Sequence, residues 1–359
     1  MQKKSTKTLN KDYHKLEALL NDDFSRISKL NIPWKKLKNK KFLITGGTGF
    51  IVSYLIKMLF LINEKKKLNI TIDCTTRSIN KTKILYGKKF TKNFLKIHKI
   101  SLFNKIDIKG RFNYVIHAAS LASPKYFKNN PIDVILPNIV GTINLLKFSE
   151  KKNLDKFVFF SSTGVNGFLD DKIRPISEDV YGALDPTLIE NSYLESKRMG
   201  ENLCYAWFSQ KNVPIQIVRP AITYGPGVQL NDGRSYADFI SSVVNNKDIE
   251  LFSDGSALRN YCYISDFFSG LMIMLLKGKI GGTYNIANEE EISIKKLANL
   301  IVNKFFKKKK LKVIYKNNNN FIRVKYNRTT VSTKKLRSLG WRILTSLEDG
   351  FKRTIKTYE

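Results

Sequence analysis

The chain has 359 residues, 42% of them hydrophobic and 12% aromatic, enough for one large or two modest domains with real cores. No run of about 18 apolar residues occurs, so no transmembrane helix and no membrane partner is expected; the longest candidates, residues 55–62 and 271–276, are too short. The net charge of +33 is compatible with a polyanion partner. Yet the lysines are spread along the whole length beside many Asn and Ile residues, as codon bias would give, so no nucleic-acid partner is expected.

In chain order, residues 1–40 form a polar, basic leader. The spacing of Leu16, Leu19, Leu20, Phe24, Ile27 and Leu30 predicts a helical packing arm, closed by Pro33-Trp34, with Trp34 docking on the main body. The leader lacks the apolar core of a signal peptide, so a cytoplasmic protein is expected. Phe42, Leu43 and Ile44 then read as a strand buried on both faces. Thr45-Gly46-Gly47-Thr48-Gly49 follows at once, and Phe50, Ile51, Leu55, Met58, Leu59 and Ile62 recur at helical spacing. Strand, glycine turn and helix is the context of a dinucleotide fingerprint. Glycine lets backbone approach a pyrophosphate, and the helix N-terminus offers free N–H groups. Gly46 and Gly49 take the first two fingerprint positions, but the third is Val52, which should push the helix outward.

Residues 41–160 alternate strand and helix. A second strand is expected at 70–76, and its end sets the cofactor. An acid there binds the 2′-OH of NAD, whereas a base accepts the 2′-phosphate of NADP. Asp73 fits if the strand stops early, and Arg77 if it runs on; Arg77 before Ser78 is the better boundary, which keeps NADP open beside NAD. Tyr114-Val115-Ile116 is a buried strand leading into His117-Ala118-Ala119-Ser120, small residues over which a flat cofactor could lie. A helix at 139–148 and a strand at 157–160 follow.

That strand exits into Ser161-Ser162-Thr163, and Tyr193 and Lys197 stand four apart downstream, on one helix face. Tyrosine is a poor base at neutral pH; a nearby ammonium would lower its pKa and poise it for proton transfer. Ser162 could share the substrate hydroxyl. Past residue 213 come a strand at 215–218, a turn at 224–227, a helix at 237–244, a strand at 284–287, a helix at 293–305, an edge strand at 313–315 and a last helix from Ser346. The lysines at 307–310 precede an asparagine run at 317–320. Cys74, Cys204 and Cys262, like His14, His98 and His117, show no metal-ligand spacing, and the cysteines suit reduced thiols.

These residues resemble the extended short-chain dehydrogenase/reductase family, the nucleotide-sugar epimerases and dehydratases. The likeness rests on the glycine turn, His117 to Ser120, Asn138-x-x-Gly-Thr, Ser162, Tyr193/Lys197, Arg219-Pro220, Tyr224-Gly-Pro226 and Leu339-Gly-Trp341. It implies a Rossmann-type doubly wound parallel α/β sheet with a smaller C-terminal α/β substrate-binding region, and NAD or NADP as cofactor. The expected division is an arm at 1–40, a cofactor domain at 41–212 and a substrate region at 213–359, with about 262–287 packing back on the cofactor domain. It also implies a homodimer.

By the resemblance Tyr193 is the acid/base, Lys197 holds the nicotinamide ribose and Ser162 orients the sugar. Gly46, Thr48, Gly49, Phe50, Ile51, Arg77, Ala118, Ala119, Ser120 and Pro220 complete the cofactor site, and no metal is expected. Asn231-Asp-Gly-Arg234 and Arg259-Asn-Tyr-Cys-Tyr263 look like UDP-glucuronate decarboxylases. That likeness puts Arg234, Arg259, Tyr261 and Thr163 on a nucleotide-diphosphate sugar. The chain also departs from the pattern. Decarboxylases and 4,6-dehydratases carry Glu where this chain has Gly164, and dehydratases carry Asp at Thr163. Asn166 and Ile222 replace an expected Tyr and Asn. A 4-epimerase, a 4,6-dehydratase, a ketoreductase and a non-catalytic cofactor-binding protein therefore stand beside decarboxylation.

Overall fold

A computed structural model describes residues 6–91, 93–170, 172–316 and 330–358; the 317–320 asparagine run lies outside them. The chain runs through α1 (Thr6–Ile27), β1 (Lys41–Thr45), α2 (Phe50–Lys66), β2 (Thr71–Thr76), α3 (Ile79–Thr91), β3 (Leu95–Lys99) and β4 (Tyr114–His117). Next come α4 (Pro131–Glu150), β5 (Lys156–Phe160), α5 (Ser192–Lys211), β6 (Ile215–Pro220), β7 (Ile222–Tyr224) and α6 (Ser235–Val244). Then follow β8 (Ile249–Leu251), β9 (Leu258–Tyr263), α7 (Ile264–Lys277), β10 (Gly282–Ile286), β11 (Glu291–Ser293) and α8 (Ile294–Leu300). The chain closes with β12 (Val313–Tyr315), α9 (Lys334–Arg337) and α10 (Leu347–Ile355).

Seven strands form one parallel sheet in the order β10-β6-β5-β4-β1-β2-β3. Its central strands are apolar on both faces because helices cover both sides: Phe42, Leu43, Ile44, Phe157, Val158 and Phe159 are fully buried. The strand order reverses between β1 and β4, and open α/β sheets bind ligands at such a switch point. The glycine turn leaves β1 there, and Ala118 to Ser120 leave β4 beside it. This is the expected doubly wound fold. The 212/213 division falls between α5 and β6, and β6 and β10 both continue the same sheet past it. Two smaller sheets, β11-β9-β7 and β12-β8, belong to the C-terminal half.

Several elements depart from the sequence expectation, including β7, β8, β9, α7 and β11, for which it sets none; β3 and α4 show why. The sequence does not predict β3: in its Leu-Lys-Ile-His-Lys run only Leu95 is buried, so the apolar signal is weak. α4 starts at Pro131 and runs through Pro137, well before the expected start at 139. Proline in a helix removes one donor, and this helix tolerates it. α4 is also the one helix among the described residues long and apolar enough to cross a membrane, but it packs along α5.

The N-terminal arm is anchored by buried charge. Arg353 on α10 donates to Asp23 Oδ1 at 2.7 Å, to Asp22, and to the Tyr263 hydroxyl at 3.0 Å; Tyr54 donates to Asp23 at 2.7 Å. Trp34 is buried and stacks on Phe268 of α7, ring centroids 6.4 Å apart.

Candidate active site

A cavity of about 1390 Å3 runs along the C-terminal edge of the sheet. That exceeds the roughly 300–1,000 Å3 of an ordinary small-molecule pocket, so two ligands end to end fit better than one. At one wall Gly46 has φ +82, and a Cβ there would meet Ala119 Cα at 3.0 Å. Backbone strain and close approach both demand glycine at that turn. Gly49 caps α2, whose first residues Phe50 and Ile51 line the cavity with Thr48. The unpaired N–H groups of that helix end suit a phosphate. Val52, at the third fingerprint position, is 3% exposed within the core.

A network that the sequence did not reveal fixes the opposite wall. Thr45 Oγ1 accepts from the amides of Ala118 at 3.1 Å and Ala119 at 3.0 Å. Its own proton is left to donate to His117 Nδ1, 3.0 Å away, and His117 Nε2 then donates to the Pro137 carbonyl at 3.1 Å. That pattern requires a neutral ring. Burial, with the Lys197 charge, accordingly pushes the His117 pKa down to about 3. Ser120 Oγ and Ser161 Oγ are buried without a hydrogen-bond partner among the described residues. Cradle, helix end and orphaned hydroxyls together fit a dinucleotide.

At the adenine end, β2 runs to Thr76, so Asp73 lies inside the strand. It is 3% exposed and paired with Lys41 Nζ at 3.2 Å and His98 Nε2 at 2.9 Å. Arg77 follows the strand end and lines the cavity.

Ser162, Tyr193 and Lys197 meet in the same cavity, with Thr163 and Pro220. The Ser162 hydroxyl accepts from the Gly164 amide at 3.2 Å and is hydrogen-bonded to Tyr193. Lys197 is 2% exposed and donates to the Phe160 carbonyl at 2.6 Å. Its Nζ lies 5.8 Å from the Tyr193 ring centroid. Burial drops the Lys197 pKa to about 7, against the Glu201 carboxylate, which raises it. The Tyr193 pKa is raised, chiefly by burial; Arg234 and the Ser162 hydrogen bond pull it down. The sequence pointed to Lys197 as the lowering charge, but its ammonium is turned to the Phe160 carbonyl and Arg234 acts instead. Tyr193 is therefore a protonated phenol at neutral pH. Phe127, missed in the sequence, stacks on it at 4.7 Å and 8°. It arrives from a loop that carries no periodic signal.

Arg234 donates to the Ala122 carbonyl at 2.6 Å and pairs with Asp232, drawing the two loops together across the cavity. Arg259 lines the same space. Tyr261 does not: it is 1% exposed in an aromatic cluster with Tyr224, Tyr236 and Phe351. Its neighbour Asn260 faces the cavity in its place. Arg219 also lies away from the cavity, fully buried and held by both Glu201 oxygens at 2.8 and 2.6 Å. Gly164 and Asn166 line the cavity; Asn166 donates to the Val180 carbonyl at 2.6 Å, bracing the 177–180 loop.

Residues 42–287 match the NAD dependent epimerase/dehydratase family. UDP-glucuronic acid decarboxylase 6 of Arabidopsis thaliana is 31% identical over 73% of this chain and 74% of its own length. UDP-glucuronic acid decarboxylase 1 of Danio rerio is 27% identical over 89% of this chain and 72% of its own. Among solved structures, UDP-glucuronic acid 4-epimerase from Bacillus cereus, in complex with UDP-glucuronic acid and NAD, superposes with a TM-score of 0.74 at 22% identity, covering 89% of this chain and 98% of that one. The dTDP-glucose 4,6-dehydratase DesIV from Streptomyces venezuelae, with NAD bound, gives 0.74 at 20% over 89% and 96%. The chain belongs to the NAD-dependent epimerase/dehydratase family and is an enzyme that uses NAD.

Proposed function

We propose that this enzyme remodels a nucleotide-diphosphate sugar through oxidation at C4, with UDP-glucuronate decarboxylation as the reaction its relatives most support. The observation that carries the reading is the meeting of Ser162, Tyr193 and Lys197 with a glycine cradle in one cavity. Gly46, Thr48, Gly49, Phe50, Ile51, Ala118, Ala119, Ser120 and Pro220 would hold the dinucleotide. When bound, the nicotinamide takes a hydride from the sugar carbon and can return it. Ser162 orients the sugar hydroxyl toward Tyr193. Tyr193 would take that proton as the phenolate, the form that Arg234 and the Ser162 hydrogen bond favour against burial, and give it back on re-reduction. Lys197, its ammonium fixed by the Phe160 carbonyl, would hold the nicotinamide ribose. Arg234 and Arg259 suit a diphosphate or the sugar's acid group, since arginine binds both bidentately. The region past residue 213, outside the main sheet, covers the sugar nucleotide. Tyr261 would act on that region only through packing.

Gly164 favours a second reading. Decarboxylation and dehydration each need acid/base help beyond Tyr193, and the resemblance puts a Glu at this position. C4 oxidation and re-reduction from the other face need only the residues already present, so a 4-epimerase is the alternative.

The remaining proposals are a cytoplasmic enzyme and a homodimer through α4 and α5, on which Ile132 and Met199 are exposed. Light scattering would test the second. The activity test is incubation with NAD and a panel of UDP-, dTDP-, GDP- and CDP-sugars, read by mass spectrometry, with Tyr193→Phe as control. Loss of carbon dioxide from UDP-glucuronate is the expected result. An isomer of unchanged mass would establish epimerisation instead. No turnover of any sugar, with cofactor bound, would overturn the reading.

A further inference from the structure

We infer that the adenosine-ribose corner of this cavity is shaped for a 2′-phosphate, supplied by Arg77 and Lys99, so that the enzyme accepts NADP as well as NAD and holds NADP more tightly. β2 and β3 are parallel, and Thr76 at the end of β2 stands opposite Lys99 at the end of β3. Arg77 is the next residue. The two cations therefore leave the sheet side by side at its C-terminal edge, where this fold binds ligands. Both line the cavity, and both are exposed. Neither side chain makes a hydrogen bond or ion pair with another described residue.

Among the described residues, no acid that would select the free 2′-hydroxyl stands at this corner. Asp73 is sealed in the strand by Lys41 and His98. The carboxylates that do line the cavity are Asp133 on α4, Glu190 before α5 and Asp232 before α6. None comes from β2, β3 or the turns that follow them. Two unneutralised cations with no facing carboxylate are a poor match for a neutral hydroxyl and a good one for a phosphate dianion. Arginine in particular presents a planar fork to phosphate oxygens.

The test uses the full chain, freed of copurifying nucleotide, and titration calorimetry with no sugar present. Its outcome is thus independent of which sugar is turned over. NADP should bind roughly tenfold more tightly than NAD, and adenosine 2′,5′-bisphosphate more tightly than adenosine 5′-monophosphate by a similar factor. The NADP advantage should shrink as salt is raised, because the contact is exposed charge. Arg77→Ala should abolish most of the preference, Lys99→Ala part of it, and Arg77→Asp should reverse it. Both side chains are exposed, so the variants should melt as the parent does. Tighter binding of NAD by the parent chain, or a preference for NADP that survives both alanine substitutions, would overturn the assignment.

Discussion

The buried ammonium of Lys197 should cost the fold stability, and Lys197→Met should return it. In the folded protein the group titrates at about 7, against 10.5 when exposed. Between these values the unfolded chain binds more protons than the folded one, so stability rises with pH across that window. At about 1.4 kcal/mol per tenfold, the charged form is disfavoured by roughly 5 kcal/mol near pH 6. Methionine removes that cost but strands the Phe160 carbonyl, which loses its donor at 2.6 Å. A stranded buried acceptor costs about 1–3 kcal/mol. The net expectation is a variant about 2–4 kcal/mol more stable than the parent near pH 6. By about pH 9.5 the charge cost falls below roughly 2 kcal/mol and the advantage disappears. Urea denaturation followed by circular dichroism at three pH values reads this directly. Turnover should be lost at every pH, since stability and catalysis make opposite demands on a buried charge. A variant no more stable than the parent at pH 6, or an advantage that does not shrink as pH rises, would refute the reasoning.

Three further substitutions probe the frame around the site. Glu201→Gln leaves the fully buried Arg219 without its counter-charge and should destabilise by about 3–5 kcal/mol in urea denaturation. Thr45→Val strands the amides of Ala118 and Ala119 and the acceptor nitrogen of His117. It should cost about 1–3 kcal/mol and weaken NAD binding by calorimetry. Gly200→Ala places a Cβ 2.3 Å from Phe159 Cζ in the core and should cost about 1–3 kcal/mol, read as a lowered midpoint of thermal unfolding.

The parts of this molecule that repeat a short local rule could be read from the residues. Phe42 to Ile44 announced β1 because a strand covered on both faces must be apolar throughout. Tyr193 and Lys197 announced a shared face because a helix brings residues four apart together. What could not be read depends on partners far away in the chain. Arg219 carried a motif, but its counter-charge Glu201 sits on α5 and nothing local links the two. The loop bearing Phe127 has no periodicity, so its stack on Tyr193 is a tertiary event. Likeness of motif puts Tyr261 on the substrate, whereas strand and packing turn it into the aromatic core. Asp73 and Arg77 are both candidates in the residues alone, because the end of β2 at Thr76 is set by its pairing with β3.

Gly164 shows how local geometry bears on the reaction itself. A Cβ there would meet Leu194 Cδ2 at 2.6 Å and Ser162 Oγ at 3.5 Å. The clash resembles that at Gly200 in distance and differs in kind. Phe159 is a ring locked between β5 and α5, whereas Leu194 Cδ2 is the free end of a flexible side chain. Gly164 is not among the residues with positive φ, so the backbone suits any L-residue. Gly164→Glu combined with Leu194→Ala should therefore fold, and it sets a carboxylate beside Ser162. If acid/base capacity at this position limits the chemistry, loss of carbon dioxide from UDP-glucuronate should rise relative to any isomer formed. Mass spectrometry and chromatography of the same reaction give that ratio. An unchanged ratio in a folded variant would mean that position 164 does not set the outcome. The carboxylate to remove next would then be Glu190, which lines the same cavity one helical turn before Tyr193.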